Sequence, residues 1–169
     1  VVMPEDASPY KKACARAYGA EVVDRGVTAE NREEVARALQ EETGYALIHP
    51  FDDPLVIAGQ GTAGLELLAQ AGRMGVFPEA VLAPVGGGGL LAGLATAVKA
   101  LSPTTLLLGV EPEVADDARR SLEAGRLFRL EAPPRTRADG VRTLSLGEHT
   151  FPILKEKADG ILVVSEEAI

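Results

Sequence analysis

Four consecutive glycines, Gly86, Gly87, Gly88 and Gly89, lie between an apolar run (residues 81–85, interrupted only by Pro84) and a helix-like stretch over 90–101. A strand that ends in glycines and opens a helix holds anions well. Its backbone N–H groups converge, the positive end of the helix dipole adds to them, and the missing Cβ atoms let a ligand approach. A phosphate-bearing ligand is the first expectation. A flexible linker would be longer and flanked by polar residues, whereas both flanks here are apolar. No Lys-Ser/Thr follows the glycines, so a Walker loop is excluded. A dinucleotide site stays open, because Glu111 lies about 20 residues on, where that fingerprint expects an acidic residue.

The chain has 169 residues, 46% of them hydrophobic and 25% charged, as in a globular protein of one sizeable domain or two small ones. Its net charge of -8 argues against a nucleic-acid partner, which would call for a clustered basic surface. One cysteine, Cys14, rules out an internal disulfide and a multi-cysteine zinc site and fits a reducing cytoplasm. No apolar run approaches the roughly 18 residues of a membrane span, and no basic leader opens the chain. The apolar start at Val1-Val2-Met3 and the helix-like end at 166–169 predict a segment of a longer polypeptide.

Local signals predict alternating helices and strands. Ser8-Pro9 opens a helix that Gly19 stops, and Thr28 caps a second helix that ends at Gly44. Val22-Val23 and residues 45–48 are strand-like. Asp53-Pro54 opens a helix to about Ala71 that carries Gly59, Gly61 and Gly64; three helical glycines, at roughly 1 kcal/mol each, imply close packing or a ligand. Beyond the glycine turn, residues 106–110 form a strand broken by Glu111-Pro112, and 116–124 a short helix. Residues 126–130 are strand-like, 133–140 a polar loop, 151–157 a helix and 161–164 a buried strand. The alternation predicts an α/β fold with mainly parallel sheets flanked by helices. Ligands in such sheets collect at the carboxyl ends of strands, where the glycines lie. A domain break is expected near residues 49–53, giving 1–50 to a small αβ domain and 51–169 to a large one.

The strings VMP (2–4), ASP (7–9), KK (11–12), YGA (18–20), IHPFDDPLVIAGQGT (48–62), PVGGGGLLAG (84–93), GVEPEVADD (109–117) and ADGV (138–141) occur in this order. Together they resemble the threonine dehydratase and serine racemase family, pyridoxal-phosphate enzymes of the tryptophan-synthase-β type, fold type II. The resemblance covers essentially the whole chain and implies that the backbone N–H groups of Gly86, Gly87, Gly88, Gly89 and Leu90 bind the phosphate of pyridoxal 5'-phosphate. It also places Phe51 near the cofactor and brings Gly140 beside its ring. The segment 49–62 reads equally as a domain hinge and packing helix.

Glu111, Ala115 and Asp117 form a second group. Two carboxylates six positions apart, with a carbonyl between them, can offer oxygens to Mg2+ or Ca2+. The racemase branch has a similar pattern. The plainer reading is that Asp116 and Asp117 offset the dipole of the helix they open, which accounts for Asp117 and leaves Glu111 unexplained. The two histidines, His49 and His149, have no neighbouring serine or cysteine to form a nucleophile pair. The arginines at 119, 120, 135, 137 and 142 read as solvated.

The implied reaction converts L-threonine to 2-oxobutanoate and ammonia by Cα deprotonation and β-elimination, with isoleucine biosynthesis as its setting; a serine racemase or serine dehydratase is the close alternative. The implied protein is a cytoplasmic homo-oligomer, a dimer or tetramer, acting on L-threonine or L-serine. The family's Schiff-base lysine stands in a Ser-x-Lys-x-Arg-Gly context that none of Lys11, Lys12, Lys99, Lys155 or Lys157 has. No catalytic residue is therefore expected within these 169 residues, and the segment alone is expected to be inactive. A non-catalytic protein that kept the phosphate turn, and a nucleotide-binding αβ domain, remain as other classes.

Overall fold

The computed structural model describes all residues, Val1–Ile169. They fall into two compact units, Val1–Ile48 and His49–Ile169.

In the first unit, α1 (Pro9–Ala17) starts with proline in its first turn, and Gly19, at φ 84°, donates to the Arg16 carbonyl to end it. The second helix, α2 (Arg32–Thr43), begins later than a Thr28 cap predicts. The Thr28 hydroxyl instead accepts from the N–H groups of Glu30 and Asn31 in a tight turn, and the helix proper follows Asn31. Gly44 closes it at φ 69°, as expected of a residue that must turn left-handed. Val23 makes only an isolated parallel bridge to Val2, and residues 45–48 form no strand, because no neighbouring strand offers them a hydrogen-bonding ladder.

The second unit is built on a three-stranded parallel sheet in the order β1-β2-β3: β1 (Ala80–Pro84), β2 (Leu106–Pro112) and β3 (Gly160–Val164). Val81 pairs with Leu107 and Gly109 with Ile161. Four helices accompany it: α3 (Pro54–Arg73), α4 (Gly89–Leu101), α5 (Asp117–Ala124) and α6 (Thr150–Lys157). The helix α4 links β1 to β2, and its apolar side, Leu91, Ala92, Ala95 and Val98, is fully buried with Leu107 and Leu154. Burying such side chains contributes about 1.5–3 kcal/mol for each large aliphatic, which makes α4 the centre of the core.

Close packing accounts for two of the three α3 glycines that the sequence singles out, Gly59, Gly61 and Gly64. A Cβ on Gly61 would sit 3.2 Å from the Gly93 carbonyl oxygen, and one on Gly64 would press on Val98 and Ala97 of α4, whereas Gly59 faces open space. Three further strand expectations are corrected. The strand β2 runs on through Glu111 and Pro112 rather than breaking there, because both still pair with β3. Leu162 and Val163 of β3 are exposed, as suits an edge strand rather than a buried one. Residues 126–130 are not a strand: the Phe128 N–H goes to the Ser121 hydroxyl, and its ring lies 3.7 Å from the Arg120 guanidinium. No helix is long and apolar enough to cross a membrane.

Candidate functional site

The glycine turn leaves the carboxyl end of β1, where Val85 N–H still donates to the Val110 carbonyl, and enters α4 at Gly89. Gly88 adopts φ 89° immediately before the helix, a conformation that costs an L-residue roughly 1–2 kcal/mol. A Cβ there would also lie 2.9 Å from both the Leu146 side chain and the Thr150 hydroxyl. One on Gly87 would overlap the Phe51 ring. Gly86 packs against Val141 and Gly89 against the Phe51 backbone. Val141 and Gly140 share a short 3-10 turn, Asp139–Val141; Gly140 itself is exposed, with open space where a Cβ would be. Val141 is the residue of this turn that packs on Gly86.

The N–H groups of Gly86, Gly87, Gly88, Gly89, Leu90 and Leu91 donate to no acceptor in the chain, and no side chain caps α4. The other three helices of this unit are different. Asp53 accepts from Leu55 and Val56 at 2.7 and 3.1 Å at the start of α3. Glu111 accepts from Ala118 and Arg119 at 3.1 and 2.9 Å at the start of α5. Asp52 accepts from Glu148, His149 and Thr150 at 2.9, 2.8 and 3.2 Å at the start of α6. A helix N-terminus carries about half a positive charge, which stabilises a carboxylate or another anion placed there. Only α4, which opens from the glycines, is left without one.

Side chains around the turn are held firmly. Phe51 meets His49 edge to face, with ring centroids 4.7 Å apart. The Nδ1 atom of His49 accepts the Asp52 N–H at 2.8 Å, so the turn that carries Phe51 and Asp52 is hydrogen-bonded to itself. The Thr143 hydroxyl, buried and without a hydrogen-bond partner, lies 3.2 Å from where a Cβ on Gly86 would sit. It is a free donor beside the turn.

The acidic group is arranged differently from the sequence expectation. Glu111, at the end of β2, caps α5 across seven residues, whereas the Asp117 Oδ2 atom is buried with no partner. The residue left unexplained by dipole capping is the one that performs it. Burial pushes Glu111 up to about 7 despite its two N–H partners. Burial, together with the charge of Glu111, raises Asp117 to about 7 as well. Ala115 is buried in the turn Glu113–Ala115 between them, and no group of three or more His, Cys, Asp or Glu side chains is placed to hold a metal ion here or elsewhere. Arg119 and Arg142 are less solvated than their sequence context implies. Arg119 pairs with Asp116 and Glu123, and Arg142 donates to the Pro134 carbonyl.

Sequence reasoning missed Asp52, Thr143, Gly147 and Thr150. Asp52 stands in a turn-rich string beside the true cap Asp53, and nothing local reveals partners 96 to 98 positions away. A separate groove of about 590 Å³ runs along α3 and α4, lined by Ile57, Leu65, Ala97, Leu101 and Ile153 among others. It includes none of the turn's glycines, and its apolar lining suits packing rather than an anion.

The chain is similar to known proteins over its whole length. The family model described as pyridoxal-phosphate dependent enzyme matches residues 1–169. The L-threo-3-hydroxyaspartate ammonia-lyase of Saccharomyces cerevisiae is 44% identical over 169 residues, all of this chain and 50% of that protein. Human serine racemase is 43% identical over 169 residues, all of this chain and 48% of that protein. The crystal structure of a threonine deaminase from T.th. superimposes with a TM-score of 0.95 at 92% identity, covering 99% of this chain and 54% of that one. The chain therefore spans about half the length of the curated relatives it matches.

Proposed function

The chain belongs to the family of pyridoxal-phosphate dependent enzymes, and from that premise we propose that it is the phosphate-anchoring part of an ammonia-lyase that converts L-threonine to 2-oxobutanoate and ammonia. The observation that carries this reading is the uncapped N-terminus of α4, where six consecutive N–H groups have no acceptor and the flanking glycines leave room for a phosphate. The N–H groups of Gly86, Gly87, Gly88, Gly89 and Leu90 would hold that phosphate, and the Thr143 hydroxyl can add a donor. Phe51 packs on Gly87 and keeps water from that side of the turn. Gly140 would lie along the cofactor ring. When bound, the cofactor supplies an electron sink for the carbanion formed at Cα. The lysine that carries it lies outside these residues. The threonine assignment rests on the likeness to threonine deaminase.

A serine racemase or serine dehydratase is the second reading, supported by the racemase relatives of similar identity. Incubating the protein that carries this chain with L-threonine and with L-serine separates the two. Oxo acid from threonine supports the lyase; D-serine without oxo acid overturns it. Titration with pyridoxal phosphate, with inorganic phosphate as competitor, tests the anchor itself. A cytoplasmic homo-oligomer belongs to the same proposal, to be checked by light scattering. So does a small domain that ends near residue 50, consistent with the compact unit Val1–Ile48.

A hard cation held by Glu111, Asp117 and the Ala115 carbonyl is also part of the proposal. Its support is the partnerless Asp117 Oδ2 atom, since a buried carboxylate oxygen needs either a cation or a proton. Mg2+ or Ca2+ that raises the thermal midpoint of the wild type but not of Asp117→Asn would support the cation. Equal responses would leave a shared proton as the explanation.

A further inference from the structure

The turn that offers its N–H groups is gripped from behind. The Gly87 carbonyl oxygen accepts the Thr150 hydroxyl at 2.7 Å and the Gly147 N–H at 3.2 Å, while Gly147 N–H also reaches the Thr150 hydroxyl at 2.9 Å. Thr150 is fully buried, and Gly147 is buried against Asp52, whose carboxylate would collide with any Cβ there. Asp52 in turn accepts the N–H groups of residues 148–150, so it fixes the first turn of α6 that presents Thr150.

A peptide unit is planar and trans, so its C=O and N–H point in opposite directions. Anchoring the Gly87 carbonyl toward α6 therefore turns the Gly88 N–H the other way, toward the anion side of the turn. Glycine has no side chain to set this orientation, and the peptides of a four-glycine run would otherwise rotate with little restraint. We propose that Thr150, held by Asp52, is a positioning residue that orients the Gly87–Gly88 peptide for phosphate binding. Asp52 has a second effect. By occupying the α6 N-terminus it keeps an anion from settling there, leaving α4 as the free helix end beside the turn.

This inference rests on the pyridoxal-phosphate reading above. The test uses the protein that carries the chain, reading the dissociation constant for pyridoxal phosphate, the 31P resonance of the bound phosphate, and the dissociation constant for inorganic phosphate. Thr150→Val keeps the shape and removes the hydroxyl. It is expected to weaken pyridoxal phosphate about tenfold, the effect of one buried hydrogen bond, and to move the 31P resonance. Thr150→Ser is expected to restore both, which a role in packing alone would not produce. Asp52→Asn is expected to weaken binding about threefold, because one oxygen can still accept. It decides the question if Thr150→Val does not fold. Wild-type binding with unchanged affinity and resonance in both variants overturns the positioning role. A wild type that binds no pyridoxal phosphate overturns the functional reading on which it depends.

Discussion

The N-termini of α4 and α6 flank the same glycine turn, yet the chain treats them in opposite ways. The first turn of α6 gives three N–H groups to Asp52, brought from almost a hundred residues away, while α4 has no carboxylate at all. A carboxylate at a helix N-terminus contributes about 0.3–1 kcal/mol, and up to about 2 kcal/mol where partly buried. Leaving α4 bare forgoes that stabilisation at the helix that forms the centre of the core. A helix dipole by itself therefore does not mark a ligand site. The informative fact is which helix end the protein has declined to fill with its own side chains.

The comparison can be broken at several points. Gly88→Ala should have the largest effect, about 3 kcal/mol from the left-handed backbone and the crowding against Leu146 and Thr150 together, read by chemical denaturation. A change below 1 kcal/mol would mean that the turn relaxes and that its geometry is not built in. Next, Asp52→Ala should lower stability by about 2 kcal/mol, since it strands three N–H groups at the start of α6.

Glu111→Ala sharpens the contrast, because the cap on α5 sits beside a second buried acid. Relief of the repulsion with Asp117 should offset part of the lost capping, leaving a net loss of less than about 1 kcal/mol. A loss equal to that of Asp52→Ala would show that the two acids are not opposed. The smallest effect is expected at a carboxylate that caps no helix N-terminus. Asp159 accepts Lys99 and the Leu107 N–H, each at 2.7 Å, and these hold its carboxyl below its usual value. Its contribution is present above the unfolded value of 3.8 and is lost as pH falls through the lower folded value. Asp159→Asn should flatten that acid limb by under about 1 kcal/mol, allowing for solvent screening, in thermal melts between about pH 2 and 7.

Features that depend on a few adjacent residues were legible before any coordinates. The Asp53-Pro54 start of α3, the Gly44 stop of α2 and the glycine turn between β1 and α4 follow from backbone preferences of neighbouring residues. Strand-like composition at 45–48 and 126–130 misled, because a strand exists only if another strand lies alongside. Thr28 has the chemistry of a cap, but its hydroxyl found nearer N–H groups in a turn. Glu111 was noticed for its carboxylate, but its N–H partners at the α5 N-terminus were not legible, because the path of β2 places them.

By itself the amino-acid sequence determined the α/β alternation, the position of the glycine turn and the family resemblance, all of which reside in short runs of residues. Only the tertiary structure decided which helix ends are filled, that Asp52 holds the start of α6 and Thr150 binds the Gly87 carbonyl, and that Val141 packs on Gly86. The reason is geometric. A carboxylate or hydroxyl can satisfy any N–H or carbonyl group the fold brings within about 3 Å, and sequence distance places no limit on which one that is.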